Sequence, residues 1–156
     1  MLRTGEDKTT ATIAMGMASP PQTSKPRTIA LWSLSVLLSL LFLMSGFGKL
    51  TNGKTTGGLT FDEQFEAWGL PAWARFPVGL LEVAGAIGLL MPRTRFYAAA
   101  GLTAVMGGAV LTHLRIGEFA FAVVPLGLGL LTATVAWLAR PAWVVQRMGR
   151  GRAEAA

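Results

Sequence analysis

The chain has 156 residues, of which 52% are hydrophobic and 14% charged, with a formal net charge of +6. The charged share falls well below the roughly 25% usual in soluble domains, and the charges collect in tails and short connections, which is the pattern of a polytopic membrane protein. There is no cysteine and one histidine, which excludes disulfide frameworks, thiol redox chemistry, zinc-thiolate and iron–sulfur sites, and a membrane b-type haem held by two histidines of this chain.

Residues 1–27 are polar and rich in Thr, Ser, Pro and Lys/Arg, and read as a disordered tail. The first apolar run, Ile29 to Phe47, carries no charge between Arg27 and Lys49. About 20 residues at 1.5 Å each cross the roughly 30 Å hydrocarbon core. A secretory signal peptide is the competing reading; the spanning length and the lack of a convincing small-x-small cleavage site favour an uncleaved helix. Residues 51–59 read as a flexible loop. In the next segment Thr60 and Glu63 fit a capping box, Phe61, Phe65 and Trp68 share one helical face, and Gly69 suits a C-terminal stop. This predicts a short amphipathic helix in the first outer loop, lying either at the membrane surface or over the mouth of the bundle.

The second span covers roughly 72–91, with Pro71 suited to its first turn and Trp68 and Trp73 to the interfacial belt. Met91-Pro92-Arg93-Thr94-Arg95 is a tight connection. The third span, about Phe96 to Leu114, repeats Ala100, Ala104 and Gly108 at four-residue spacing, a small-xxx-small pattern that lets helices approach closely, within one bundle or between copies in a homo-oligomer. The fourth, about Phe119 to Ala139, contains Pro125 and closes at Arg140-Pro141. The fold class is therefore an all-α membrane protein: a four-transmembrane-helix bundle over 28–140 and a basic tail over 141–156.

Four spans put both termini on one side of the bilayer. Arg3, Lys8, Lys25, Arg27, Arg93, Arg95, Arg140, Arg147, Arg150 and Arg152 fall there, against Lys49, Lys54, Arg75 and Arg115 on the other. The bias predicts a multi-pass membrane protein with both termini in the cytoplasm. The same distribution argues against nucleic acid as a partner, because the basic residues flank spans instead of forming a domain; attraction to anionic lipid explains them.

Glu82 lies in an otherwise uncharged run, about ten residues and so roughly 15 Å into its helix. A carboxylate at that depth costs roughly 2.5–3.5 kcal/mol on insertion scales, so it is paired, protonated or hydrated. Ser45 and Lys49 end the first span, and Thr112, His113 and Arg115 the third, up to two turns shallower than Glu82. A polar cluster of Ser45, Lys49, Glu82 and His113, with Arg115 near it, is the candidate ligand or proton site. Each member has a plainer reading: Glu82 as half of an ion pair that fixes helix register or as a partner contact, Lys49 as a snorkelling anchor, His113 as an interfacial residue. No catalytic residues, phosphate loop, nucleophile elbow or metal-binding helix motif stand out.

The run Leu41-Phe-Leu-Met-Ser45-Gly-Phe-Gly-Lys49-Leu, then Trp68-Gly-Leu-Pro71, then Gly79-Leu-Leu-Glu82-Val-Ala-Gly85-Ala-Ile-Gly88, then Ala109-Val-Leu-Thr112-His113-Leu-Arg115-Ile-Gly117-Glu118, resembles the DoxX family of small bacterial membrane proteins over about residues 31–140. Lys49, Glu82 and His113 match recurring polar positions of that family. The resemblance implies a membrane subunit or anchor of a redox or stress-related complex, with a redox partner protein and a bound quinone as the expected associates. The chain itself carries no cofactor motif. Two rivals stand beside this reading: a small proton-coupled transporter, and a structural scaffold with a buried ion pair.

Overall fold

The structure is a computed structural model and describes residues 25–141. Of the expected tails, 1–27 and 141–156, residues 1–24 and 142–156 lie outside the described residues. Residues 25–27, expected in the first tail, belong instead to a helix. The described chain runs α1 (Lys25–Leu50), α2 (Phe61–Ala67), a 3-10 turn (Ala72–Ala74), α3 (Arg75–Leu90), α4 (Arg95–Arg115) and α5 (Phe119–Ala139). Pro26 tolerates the first turn of α1 because its missing N–H would have had no partner there. Among the described residues, four helices are long and apolar enough to span a bilayer, over Pro26–Leu50, Ala72–Leu90, Arg95–Arg115 and Phe119–Ala139. The chain is thus an all-α, multi-pass membrane protein.

Side-chain contacts give the arrangement. Ser39 donates to the Ala86 carbonyl at 2.8 Å, and Gly46 meets Gly79, so α1 and α3 run antiparallel. Gly85 faces Leu102 and Gly88 faces Ala98 between α3 and α4, and Thr103 bonds Thr132 at 2.9 Å between α4 and α5. Arg27 donates to the Leu138 carbonyl at 2.8 Å and links α1 to α5. The four spans form a ring of antiparallel neighbours. One end carries Lys25, the 91–94 connection and Arg140; the other, the loop end, carries α2. The core is Leu38, Phe42, Ala86, Leu89, Ala99, Leu102, Met106 and Val135. Large apolar residues such as Met44, Phe47, Leu111 and Val123 face outwards, which is tolerable where the solvent is lipid. Leu38 and Phe42 make the first apolar run an integral part of the bundle.

The close helix approach falls elsewhere than the small-xxx-small repeat suggests. Ala100, Ala104 and Gly108 are exposed on α4, whose inward residues are Ala99, Leu102 and Met106. The tight crossing is between α1 and α3. A Cβ on Gly46 would lie 2.8 Å from the Gly79 carbonyl, and one on Gly79 would lie 2.9 Å from that of Gly46. Two glycines face each other at that point because backbone meets backbone there.

The loop end is ordered by local hydrogen bonds. Residues 51–59, expected as a flexible loop, form a turn closed by a bridge between Lys54 and Thr60, with the Thr55 N–H donating to the Leu59 carbonyl at 2.7 Å. The capping box is present: the Thr60 N–H donates to Glu63 Oε2 at 2.7 Å and the Glu63 N–H to Thr60 Oγ1 at 3.4 Å. Gly69, at φ +71°, ends α2, its N–H bonded to the Glu66 carbonyl and that of Leu70 to Phe65, the αL stop of a helix C-terminus. Of the two placements expected for α2, the structure has the second. The helix packs over the bundle mouth with Phe65 buried.

Candidate functional site

The Gly46–Gly79 contact sets the geometry of the site. It brings the Lys49 side chain against Gly79, one helical turn above Glu82. The depth gap is therefore about one turn, which a lysine stem spans. Lys49 turns inwards instead of snorkelling to the interface. Its Nζ donates to Glu82 Oε2 at 2.8 Å, to Glu82 Oε1 at 3.1 Å and to Ser45 Oγ at 2.7 Å. Glu82 is 2% exposed and Lys49 8%, so both charges have left solvent together. The Phe61 ring, brought down by α2, lies 5.1 Å from the ammonium and adds a cation–π contact. Every donor of the ammonium has an acceptor, as a buried charge requires.

A second layer holds Lys49 in place. Arg75, 7% exposed at the start of α3, donates to the carbonyls of Lys49 and Leu50, which are among the orphan carbonyls at the end of α1. Its Nε donates to Asp62 on α2. Asp62 in turn accepts from Asn52 Nδ2 at 2.6 Å, and its N–H donates to Asn52 Oδ1 at 2.8 Å. Asn52 adopts the left-handed conformation, φ 54°, that this reciprocal pair needs. Arg75, Asp62 and Asn52 tie the end of α1, the loop, α2 and α3 into one unit. None is singled out by the sequence reading. In sequence Arg75 looks like an ordinary interfacial flank, and Asp62 and Asn52 look like loop residues.

Beneath α2 lies a cavity of about 490 Å³, within the roughly 300–1,000 Å³ of small-molecule sites. Its walls are mostly apolar, among them Phe42, Val105, Met106 and Leu128. Ser45, Lys49, Glu82 and His113 all line it. His113 Nδ1 lies 2.9 Å from Glu118 Oε2, and its ring meets the Trp68 ring edge-on at 5.0 Å. In the neutral ring, a proton on Nδ1 shared with the Glu118 carboxylate makes Nε2 the acceptor. Trp68 also lines the cavity, and its buried Nε1–H has no acceptor among the described residues. Arg115, the remaining candidate, is exposed at the end of α4 and does not line the cavity. Four of the five candidates thus share one chamber.

Fold and site together define a multi-pass helical membrane protein with a lidded, mostly apolar chamber and a buried ion pair in its wall. The sequence model of the DoxX-like family matches residues 33–135, about two-thirds of the chain, and the chain belongs to that family. No curated protein and no solved structure matches it.

Proposed function

We propose that the chain is the membrane subunit or anchor of a redox-related complex and holds a quinone-like molecule in the chamber under α2. The observation that carries this reading is the chamber itself: apolar walls with Lys49–Glu82 and His113 at its polar points. An isoprenoid or alkyl body suits the walls, and a carbonyl head would give the Trp68 Nε1–H the acceptor it lacks. His113 Nε2 would accept from a hydroxyl of the reduced head, and the Lys49–Glu82 pair would fix the polarity of the wall against which the head rests. The arginine- and lysine-rich end carrying the described termini would face the cytoplasm of a bacterial cell.

A second reading has an observation of its own. The Lys49 ammonium is fully satisfied by Glu82 and Ser45 at the tightest helix crossing, as a structural lock would be. The test is to purify the full chain gently from native membranes beside Ala109→Phe, which fills the chamber from α4 without touching the ion pair. Extractable quinone and co-purifying proteins are then scored by mass spectrometry. Quinone retained by the wild type and lost from Ala109→Phe is the expected result. Equal retention by both, or none in the wild type, would leave the pair as a structural lock and remove the quinone reading.

A further inference from the structure

The two ends of the bundle differ in how their charges are neutralised. Among the described residues the carboxylates are Asp62, Glu63, Glu66, Glu82 and Glu118, all on α2, at the loop end or beside the chamber. There Lys49 and Arg75 each have an acidic partner. The opposite end holds Arg27, Arg93, Arg95 and Arg140 and, among the described residues, no carboxylate. Its arginines use carbonyls and indole rings instead. Arg95, 3% exposed, donates to the Leu89 carbonyl at 2.8 Å and lies 4.1 Å over the Trp32 ring. Arg140 lies 3.9 Å over the Trp137 ring. Its Nη1 is buried and meets no hydrogen-bond partner among the described residues.

An unpartnered guanidinium N–H in a site removed from water is costly. Arg140 also lines a groove of about 310 Å³ between α4 and α5, walled by Phe96, Ala100, Thr103, Ala133, Ala136 and Trp137. Ala100 and Trp137 are exposed on the outside of the bundle, so the groove opens towards the bilayer. Ala100, Thr103, Ala133 and Ala136 leave mostly apolar room in the groove for a hydrocarbon chain, and Arg140 adds a cation to its lining. Trp137 braces that cation at the depth where indoles favour the membrane interface.

We propose that Arg140 and this groove bind an anionic phospholipid, its phosphodiester on the guanidinium and one acyl chain between α4 and α5. The proposal is independent of what occupies the chamber at the other end. Phosphate matches Arg140 in charge and in planar, forked geometry, and the apolar groove selects a lipid over free phosphate.

The test uses the full chain reconstituted in mixtures of brominated and ordinary lipids, with tryptophan fluorescence as the readout. Subtracting the signal of Trp137→Phe isolates Trp137. Brominated phosphatidylglycerol should quench that component at mole fractions about fivefold lower than brominated phosphatidylcholine of the same chains, the worth of one basic residue beside an anionic surface. Arg140→Gln should erase the preference and Arg140→Lys should keep part of it. Ala133→Phe, which blocks the groove without touching the charge, should erase it as well and serves if Arg140→Gln does not fold. Equal quenching by the two lipids in the wild type, or a preference that survives Ala133→Phe, would overturn the proposal. So would a preference abolished by millimolar inorganic phosphate, which would make the site one for the free anion.

Discussion

At the scale of single residues, what is legible in the sequence is an ionisable group where nothing else is ionisable. Glu82 stands out inside its apolar run for that reason, and Lys49 and His113 stand out at helix ends. Their partners do not. Arg115 ends α4 much as Lys49 ends α1, yet one is exposed and the other buried. The difference lies in which helix face meets which neighbour. Arg75 is hidden more deeply still, because its role is to bond the carbonyls of another helix. Glu82→Gln leaves the Lys49 ammonium buried without its counter-charge and should cost about 3–5 kcal/mol of stability, read as a lower unfolding midpoint in detergent. Replacing both partners with apolar residues of similar volume, Lys49→Met with Glu82→Leu, should recover most of that loss. A double variant as unstable as the single would show that the pair is not the source of the effect.

At the scale of elements, the four spans and the cap of α2 follow from local chemistry, and both appear where the residues put them. The helix crossing does not follow. The small-residue repeat on α4 is the more regular pattern, but Gly46 and Gly79 face each other and Ala100 and Ala104 face outwards. Spacing marks a face that could pack closely without naming which face finds a partner. Gly79→Ala should push the Gly46 carbonyl and the Lys49 side chain aside, at about 1–3 kcal/mol, and thermal unfolding beside the exposed control Gly107→Ala would measure it. The cap of α2 carries a pH dependence. Hydrogen bonds from the Thr60 backbone N–H and hydroxyl, with Lys54 nearby, hold the Glu63 carboxyl below its ordinary value of 4.5. A carboxyl whose pKa is lowered by folding contributes stability that is complete above the ordinary value and is lost as pH falls through the folded one. On acidification below about pH 4.5 the wild type should therefore lose α2 order, read by Trp68 fluorescence, more steeply than Glu63→Gln does. At neutral pH Thr60→Ala should weaken the same helix by about 1 kcal/mol.

At the scale of the whole molecule, span count and the positions of the charges were readable because a bilayer imposes length and polarity on any chain that crosses it. The chamber was not, since it arises from how the four spans sit around one another beneath α2. The absence of cysteine makes orientation easy to measure. A single cysteine at Lys54 should react with an impermeant maleimide on intact cells, and one at Arg93 should react only after the membrane is opened. The reverse pattern would invert the orientation and place the end carrying Arg27, Arg93, Arg95 and Arg140 outside.

The seam between α1 and α5 is held at one end, by Arg27 on the Leu138 carbonyl. Towards α2 the chamber lies between these helices, and two of its lining residues, Leu41 on α1 and Val124 on α5, also face lipid, at 42% and 64% exposure. A guest arriving through that seam never passes through water. Its occupancy would then track its mole fraction in the membrane, so a longer hydrocarbon tail would raise apparent affinity by partitioning alone, before any contact with Lys49 or Glu82 is made.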